Sequence, residues 1–338
     1  MAQTPVQKLF LHIGLHKTGT SAIQYALYHA RERLKEQGVL YPASVAWNDF
    51  SHHSLTLPFW REEDYAPAFK DLRAEIEESG CQTLVISSEL FPNIYEQADR
   101  WPAFWAEVQA LADDIEIILY ARRQDRLAES VFKQWAKSDD LKLSIPPADF
   151  IKDDVRINMD ILHYCQVWAG MPGVSKLHLR SYDKCRSVLL PSFLDILGLP
   201  ANITDGYNSV HANPTLDGEK LMFRHYFNGY DLPQAISDQL LAYIQKHLSS
   251  EPRLDVFTLE EKRALLARYA DSNREAFKTF GNDDTPFDDE FEASGHAFRR
   301  PTTPEVLDFF MKLSQVDKRL AAHLFDAVMT PPAPAAPV

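Results

Sequence analysis

The segment Leu9-Phe10-Leu11-His12-Ile13 is an apolar run of strand length, and it passes directly into Gly14-Leu15-His16-Lys17-Thr18-Gly19-Thr20-Ser21. From Ser21 to Gln37 the period changes. Ile23, Leu27, Ala30 and Leu34 fall at i, i+4, i+7 and i+11, one face of a helix. Strand, glycine-punctuated loop and helix in immediate succession restrict the architecture, because such units stack into parallel sheets covered by helices. The loop is close to the phosphate-binding pattern GxxxxGK[ST]. Gly14 and Gly19 have the spacing and Ser21 the hydroxyl, but Thr20 stands where the lysine belongs, and the loop's only lysine is Lys17. The lysine of the full pattern serves the β- and γ-phosphates of a triphosphate. Its displacement by three positions points to a different phosphate donor.

The rest of the chain repeats the alternation. Tyr65 to Ser79 and Trp101 to Leu111 read as helices, and Thr83 to Ile86 as a second strand ending in Ser87-Ser88-Glu89. Ile115 to Tyr120 is the clearest strand, rich in β-branched and aromatic residues. Gln124 to Lys137 is helical, with Leu127, Val131 and Trp135 four apart, and Asp160 to Ala169 is a further helix. Lys176 to Arg180 is a fourth strand, and Ser187 to Leu197 a helix before Gly198. Residues 39–65 read as irregular, with Pro42, Pro58 and a polar stretch around His52-His53. Beyond Thr215 helical patterns dominate, including Phe309, Leu313, Val316 and Leu320 on one face. The fold class expected is α/β, a three-layer parallel sheet flanked by helices with a mostly helical C-terminal part. We expect one domain over 1–328, its helical portion at about 215–328, and a disordered Pro/Ala tail over 329–338.

A net charge of −13 argues against bulk binding to a nucleic-acid backbone, while leaving room for a small anion in a local basic pocket. Cys81, Cys165 and Cys185 are widely spaced with no CxxC, so neither a disulfide framework nor a zinc site is expected. The apolar run near the N-terminus is about six residues, too short for a signal-peptide core or a membrane span. A soluble, cytoplasmic protein without a transmembrane segment is the expectation.

In an open parallel sheet, ligands bind beyond the carboxyl ends of the strands, and the suggestive polar residues follow His12-Ile13, Ile86 and Tyr120. The Gly14–Ser21 loop offers backbone N–H groups at a helix N-terminus, the charge of Lys17 and the hydroxyls of Thr18, Thr20 and Ser21. Thr18 and Thr20 are both reasonable N-caps. Arg122 and Arg123 follow the strongest strand, and Ser130 lies eight residues after Arg122. An arginine at a strand end and a serine two turns into the next helix can converge on one anion, although surface carboxylates would equally well take the arginines. Glu89 is placed to act as a general base or to hold a metal, or to be a solvated loop residue. His52 and His53 do not share a helix face, so a shared metal site is disfavoured; one of them could serve as acid, base or substrate contact. Ser294-Gly295-His296-Ala297-Phe298-Arg299-Arg300 is a basic loop late in an acidic chain, able to close over an anion; Arg274 is a similar candidate.

Together these residues resemble the sulfotransferase family. His12 to Ser21 is similar to its 5′-phosphosulfate loop, in the form of bacterial members with a His-Lys-Thr-Gly-Thr core. Arg122 and Ser130 resemble its 3′-phosphate-binding pair. The two motifs cover some 30 residues and come in the family's order. Weaker likeness continues through Gly38 to Pro42, His52-His53, Arg180 to Asp183 and Phe193 to Leu199. The resemblance implies a fold related to nucleotide kinases and transfer of a sulfuryl group from 3′-phosphoadenosine 5′-phosphosulfate to an acceptor hydroxyl or amine, with no metal required. It implies that Gly14, His16, Lys17, Thr18, Gly19, Thr20 and Ser21 hold the 5′-phosphosulfate and that Arg122 and Ser130 hold the 3′-phosphate. Arg299 and Arg300 would be a loose counterpart of the family's basic C-terminal loop. Family members use a histidine or a glutamate as base, which puts Glu89 first and His52 and His53 second. A carbohydrate or glycolipid hydroxyl is the acceptor expected. The alternatives are a P-loop ATP-dependent small-molecule kinase, in which Lys17 would replace the missing lysine, and a nucleotide-binding protein without catalysis.

Overall fold

The computed structural model describes residues 5–152, 158–207, 216–281, 283, 286–288 and 290–330. In chain order the first elements are β1 (Val6–His12), α1 (Thr20–His29), α2 (Arg31–Glu36), β2 (Val39–Leu40), α3 (His53–Trp60), α4 (Ala66–Ser79) and β3 (Thr83–Ser87). There follow α5 (Trp101–Gln109), β4 (Ala112–Ala121), α6 (Gln124–Lys137), α7 (Pro147–Phe150), α8 (Ile161–Ala169) and β5 (Val174–Ser181). The last are α9 (Tyr182–Cys185), α10 (Leu189–Ile196), α11 (Gly218–Phe227), α12 (Gln234–His247), α13 (Leu259–Arg268), α14 (Ala270–Ala276), α15 (Thr303–Val316) and α16 (Lys318–Met329). The chain divides into two compact units. The first comprises residues 1–123, 160–212 and 268–288, the second residues 124–159, 213–267 and 289–338.

The first unit is a five-stranded sheet in the order β2-β3-β1-β4-β5, parallel at every pairing. Because successive strand residues point to opposite faces, each strand feeds two cores. Leu9, Leu11, Leu84, Ile86, Ile115, Ile117, Leu119, Leu177 and Leu179 pack on one face with side chains of α3, α4, α5 and α8. Phe10, Val85, Ile118 and Tyr120 pack on the other with α1, α2 and α10. Both faces being covered explains why β4 reads as an unbroken apolar run from Ile117 to Ala121. Ile115, Ile117, Ile118 and Leu119 are all essentially inaccessible, each burial stabilising by about 1.5–3 kcal/mol relative to exposure.

The topology also fixes where a crevice opens. The helix after β1 (α1) lies on one face, and the helix after the neighbouring strand β3 (α5) on the other. Adjacent strands whose connections diverge in this way leave a gap beyond their carboxyl ends. That gap is bounded by Gly14 to Gly19 after β1 and by Ser88-Glu89 after β3.

Several expectations need correction. Residues 39–65 are not irregular throughout: Val39–Leu40 is an edge strand and His53–Trp60 a helix containing Pro58. Lys176 to Arg180 therefore belongs to the fifth strand, not the fourth. The helix expected over Ser21 to Gln37 breaks at Ala30 into α1 and α2, although Ile23, Leu27, Ala30 and Leu34 are all buried as its period required. Phe309, Leu313, Val316 and Leu320 do not share one helix. α15 ends at Val316, which is exposed, and Asp317 caps α16 by accepting the N–H groups of Arg319 and Leu320. The Pro/Ala tail expected over 329–338 lies outside the described residues apart from Met329, which is the last residue of α16 and not part of a tail, and Thr330, which follows it.

The second unit contains no strand among its described residues. Its core joins Phe223 and Phe227 of α11, Leu240 and Ile244 of α12, Phe309 and Leu313 of α15 and Leu320 and Leu324 of α16. Among the described residues no helix is long and apolar enough to cross a membrane. All three cysteines are free thiols.

Candidate active site

The loop after β1 is held in a conformation that side chains resist. Lys17 has φ +62° and Gly19 φ +80°, both left-handed. Gly19 is the residue that caps α1, in place of the expected Thr18 or Thr20. A Cβ at Gly19 would lie 2.4 Å from Leu189 Cδ2 and 3.0 Å from Tyr182 Cε2, so another residue there would be strained and would have to displace Leu189. At Gly14 a Cβ would meet the Thr20 side chain at 2.8 Å and Glu89 Cγ at 3.3 Å. The glycine spacing in the sequence therefore records two close approaches, one to the β5–α10 region and one to Glu89.

Inside the loop the hydroxyls are not equivalent. Thr18 is buried, and its Oγ1 donates to the carbonyl of Leu15 at 2.6 Å. It braces the turn instead of presenting a free donor, which corrects the expectation for its side chain. Thr20 is buried as well and hydrogen bonds to the Glu89 carboxylate. Ser21 and His16 are exposed, and Lys17 is half-buried. Arg122, directly after β4, donates from Nη1 to the carbonyl of Lys17 at 3.1 Å, and its guanidinium lies 5.6 Å from the centre of the Tyr182 ring. Two motifs 105 residues apart in sequence thus meet at one carbonyl. Arg123 is turned away: it pairs with Asp288 at 2.5 Å, and its N–H is taken by Asp183 at 2.7 Å.

Glu89 lies across the crevice from the loop. Burial pushes its carboxyl above the ordinary range, and the nearby Asp49 charge adds to this, while Lys17 and the Thr20 hydrogen bond oppose it. The two histidines separate in role. His52 is fully buried, accepts the Ser87 N–H on Nδ1 at 2.9 Å and donates from Nε2 to the carbonyl of Pro42 at 3.0 Å. Both nitrogens are committed, and burial pushes its pKa down to about 3. His52 is therefore a structural tie between the 42–52 segment and β3, not a base. His53 is half-buried, with Nδ1 2.7 Å from Ser88 Oγ and Nε2 3.6 Å from Asp49 Oδ2. Burial lowers its pKa, and Asp49 opposes the shift.

Behind the site His12 is also fully buried. Its Nδ1 lies 2.8 Å from Ser87 Oγ, which Gln24 Nε2 approaches to 3.2 Å, and burial holds the imidazole neutral. Residues that the sequence did not single out are Asp49, Ser88, Thr56, Tyr182 and Leu189. Ser88 could have been found as a hydroxyl at a strand end. The others become neighbours only through tertiary packing.

Of the remaining candidates, Ser130, Arg299 and Arg300 belong to the second unit and Arg274 to the first. Ser130 is half-buried on α6. Arg299 is engaged at the start of α15, donating from Nη1 and Nη2 to Glu305 at 2.7 and 2.6 Å while Glu305 closes a capping box with Thr302. Arg300 precedes the same helix. Arg274 pairs with Asp271 at 2.9 Å on α14 of the first unit. Among the described residues no group of three His, Cys, Asp or Glu side chains is arranged to hold a metal.

No family model matches the chain, and neither the curated proteins nor the solved structures contain a match to it.

Proposed function

We propose that the protein is a sulfotransferase that moves the sulfuryl group of 3′-phosphoadenosine 5′-phosphosulfate to an acceptor hydroxyl, on a P-loop-like fold related to nucleotide kinases. The observation that carries this reading is the contact of Arg122 with the Lys17 carbonyl. It joins Arg122, one residue of the second motif, to the loop that forms the first. The loop supports the reading further. Left-handed residues at 17 and 19, followed by a helix N-terminus, give successive N–H groups the concave arrangement that suits a single phosphate. With Thr20 in place of the Walker lysine and its hydroxyl on Glu89, nothing at that position serves a γ-phosphate.

In the reaction the acceptor oxygen attacks sulfur in line, and the bond from sulfur to the 5′-phosphate oxygen breaks. The electron pair stays on that oxygen, and the acceptor's proton passes to Glu89. Lys17 and the loop N–H groups stabilise the charge that builds on the leaving phosphate. Glu89 suits the base because burial and Asp49 raise its proton affinity toward the working range. Arg122 binds the 3′-phosphate. Ser130, on the second unit, is assigned there on the resemblance alone, as are Arg299 and Arg300. The acceptor proposed is a carbohydrate or glycolipid hydroxyl, in a cytoplasmic setting.

The test is binding of the product 3′,5′-bisphosphate in metal-free buffer. A concentration-dependent rise in melting temperature is expected for the native chain and its loss in Arg122→Ala. Stabilisation by ATP with magnesium and none by the bisphosphate would instead favour a kinase.

A further inference from the structure

The turn Trp47 to Ser51 is fixed from several sides and carries one carboxylate into the crevice. Trp47 N–H donates to the carbonyl of Ser51 at 2.7 Å, and Phe50 N–H to that of Trp47 at 2.9 Å. Tyr41 Oη donates to the carbonyl of Phe50 at 2.8 Å. Phe50 is left-handed at φ +68°, a conformation that is strained in a residue with a Cβ. Its ring is packed among Tyr25, Tyr28 and His29 of α1 at 4.9–5.5 Å. Asp49 Oδ1 accepts the N–H and the hydroxyl of Ser51, at 3.1 and 2.5 Å. Its other oxygen is the one that faces His53 Nε2 at 3.6 Å, longer than a hydrogen bond and within ion-pair reach. On the far side of the ring, Nδ1 meets Ser88 Oγ at 2.7 Å.

We propose that Asp49 is a positioning residue of this site, holding the His53 imidazole from its Nε2 side so that Nδ1 stays on Ser88 Oγ, next to Glu89. The line Asp49–His53–Ser88 has the composition of a hydrolase triad but not its exposure. Ser88 is fully buried, and its oxygen accepts the Leu90 N–H at 3.2 Å and lies 3.1 Å from Thr56 Oγ1. No substrate carbon can reach it, so the hydroxyl fixes the histidine and does not attack. In the arrangement proposed the Ser88 hydroxyl donates to His53 Nδ1, and the Nε2–H tautomer faces Asp49. The same carboxylate acts on Glu89, the neighbour of Ser88, so one turn adds its charge to the effect of burial at both candidate bases. The other groups facing this corner are Lys17 and Thr20 on the loop and His52, held neutral by burial.

The role assigned to Asp49 rests on the proposed function only for its catalytic consequence. The test reads the histidines directly, by imidazole nitrogen NMR of the full chain against pH, in the native protein and in Asp49→Asn and Asp49→Ala, with His53→Gln identifying the signal. Native His53 is expected as one neutral Nε2–H tautomer. Asp49→Asn moves its titration to lower pH, because the charge favouring the imidazolium is gone, and Asp49→Ala yields a mixture of tautomers. Unfolding of Asp49→Asn in urea with the midpoint and slope of the native chain establishes an intact fold. If the fold is intact and neither variant alters the His53 signal, the assignment is overturned. Sulfuryl transfer, measured in parallel, is expected to lose kcat in Asp49→Ala with KM for the donor unchanged. Absence of transfer in the native chain would count against the sulfotransferase reading, while the NMR result still decides Asp49.

Discussion

Lys8, Glu116 and His178 across the strands of the sheet, and Lys17, Glu89 and His53 beyond their carboxyl ends, are the same three kinds of side chain held in opposite ways. In the first group the partners are one another. Lys8 pairs with Glu116 and, at 3.2 Å, with Asp114, while His178 Nε2 meets Glu116 at 2.5 Å. These residues sit on the paired strands β1, β4 and β5, with a register shift between β4 and β5 at Ile115/Glu116. In the second group much of the surroundings is backbone: a left-handed Lys17 whose carbonyl takes Arg122, and a glycine loop against Glu89. Opposite charges on paired strands can satisfy one another and need no ligand. Charges gathered by strained, close-packed loops carry a conformational cost that packing alone does not explain.

Four substitutions sharpen that contrast. The largest effect is expected for Lys17→Ala, with transfer falling by roughly 10²–10³-fold, as for removal of one preorganised transition-state contact. Far-UV circular dichroism should be unchanged. Next is Glu89→Gln, expected to abolish the acid limb of the kcat–pH profile together with most of the rate. Because burial and Asp49 raise this carboxyl, the native acid limb should lie above the ordinary glutamate value of about 4.3. A limb at or below that value would remove Glu89 as the base.

Gly19→Ala should destabilise the fold by about 1–3 kcal/mol in urea titration, from a Cβ forced into the left-handed region against Leu189. The smallest effect belongs to the self-satisfied group. Glu116→Gln should cost about 1 kcal/mol, since Lys8 is one-third exposed and the pair is screened, and should leave bisphosphate binding untouched. The sign of its pH dependence is fixed. Lys8 and His178 hold the Glu116 carboxyl below its ordinary value despite burial. Its contribution is complete above the unfolded pKa of about 4.3 and is lost as pH falls through the lower, folded value. The difference in stability between Glu116→Gln and the native chain should therefore shrink in acid.

Much of the fold was legible because its central strands are buried on both faces. Ile115 to Tyr120 could only be a core strand, and the period of Ile23, Leu27, Ala30 and Leu34 marked the buried face even across the break at Ala30. What escaped had no period to read. Val39–Leu40 is two residues long, and α3 carries Pro58 in a stretch that otherwise signals a loop. The same holds for the site. Gly14, Gly19 and Arg122 announce themselves by spacing and strand context. His52 and His53 are indistinguishable in sequence, and only hydrogen bonding to Pro42 and Ser87 commits one of them to structure. Asp49 is one of many acidic residues in this chain until the 47–51 turn aims it at His53.

The central claim is that the β1 loop and Arg122 hold a 3′,5′-bisphosphorylated adenosine. Isothermal titration of the native chain with 3′-phosphoadenosine 5′-phosphate, in buffer containing a metal chelator, tests it most directly. The account predicts saturable one-site binding that Lys17→Ala and Arg122→Ala each weaken at least tenfold, and much weaker binding of 5′-AMP, which lacks the 3′-phosphate. Equal affinity for the two nucleotides, or no bisphosphate binding where ATP with magnesium binds, would contradict it.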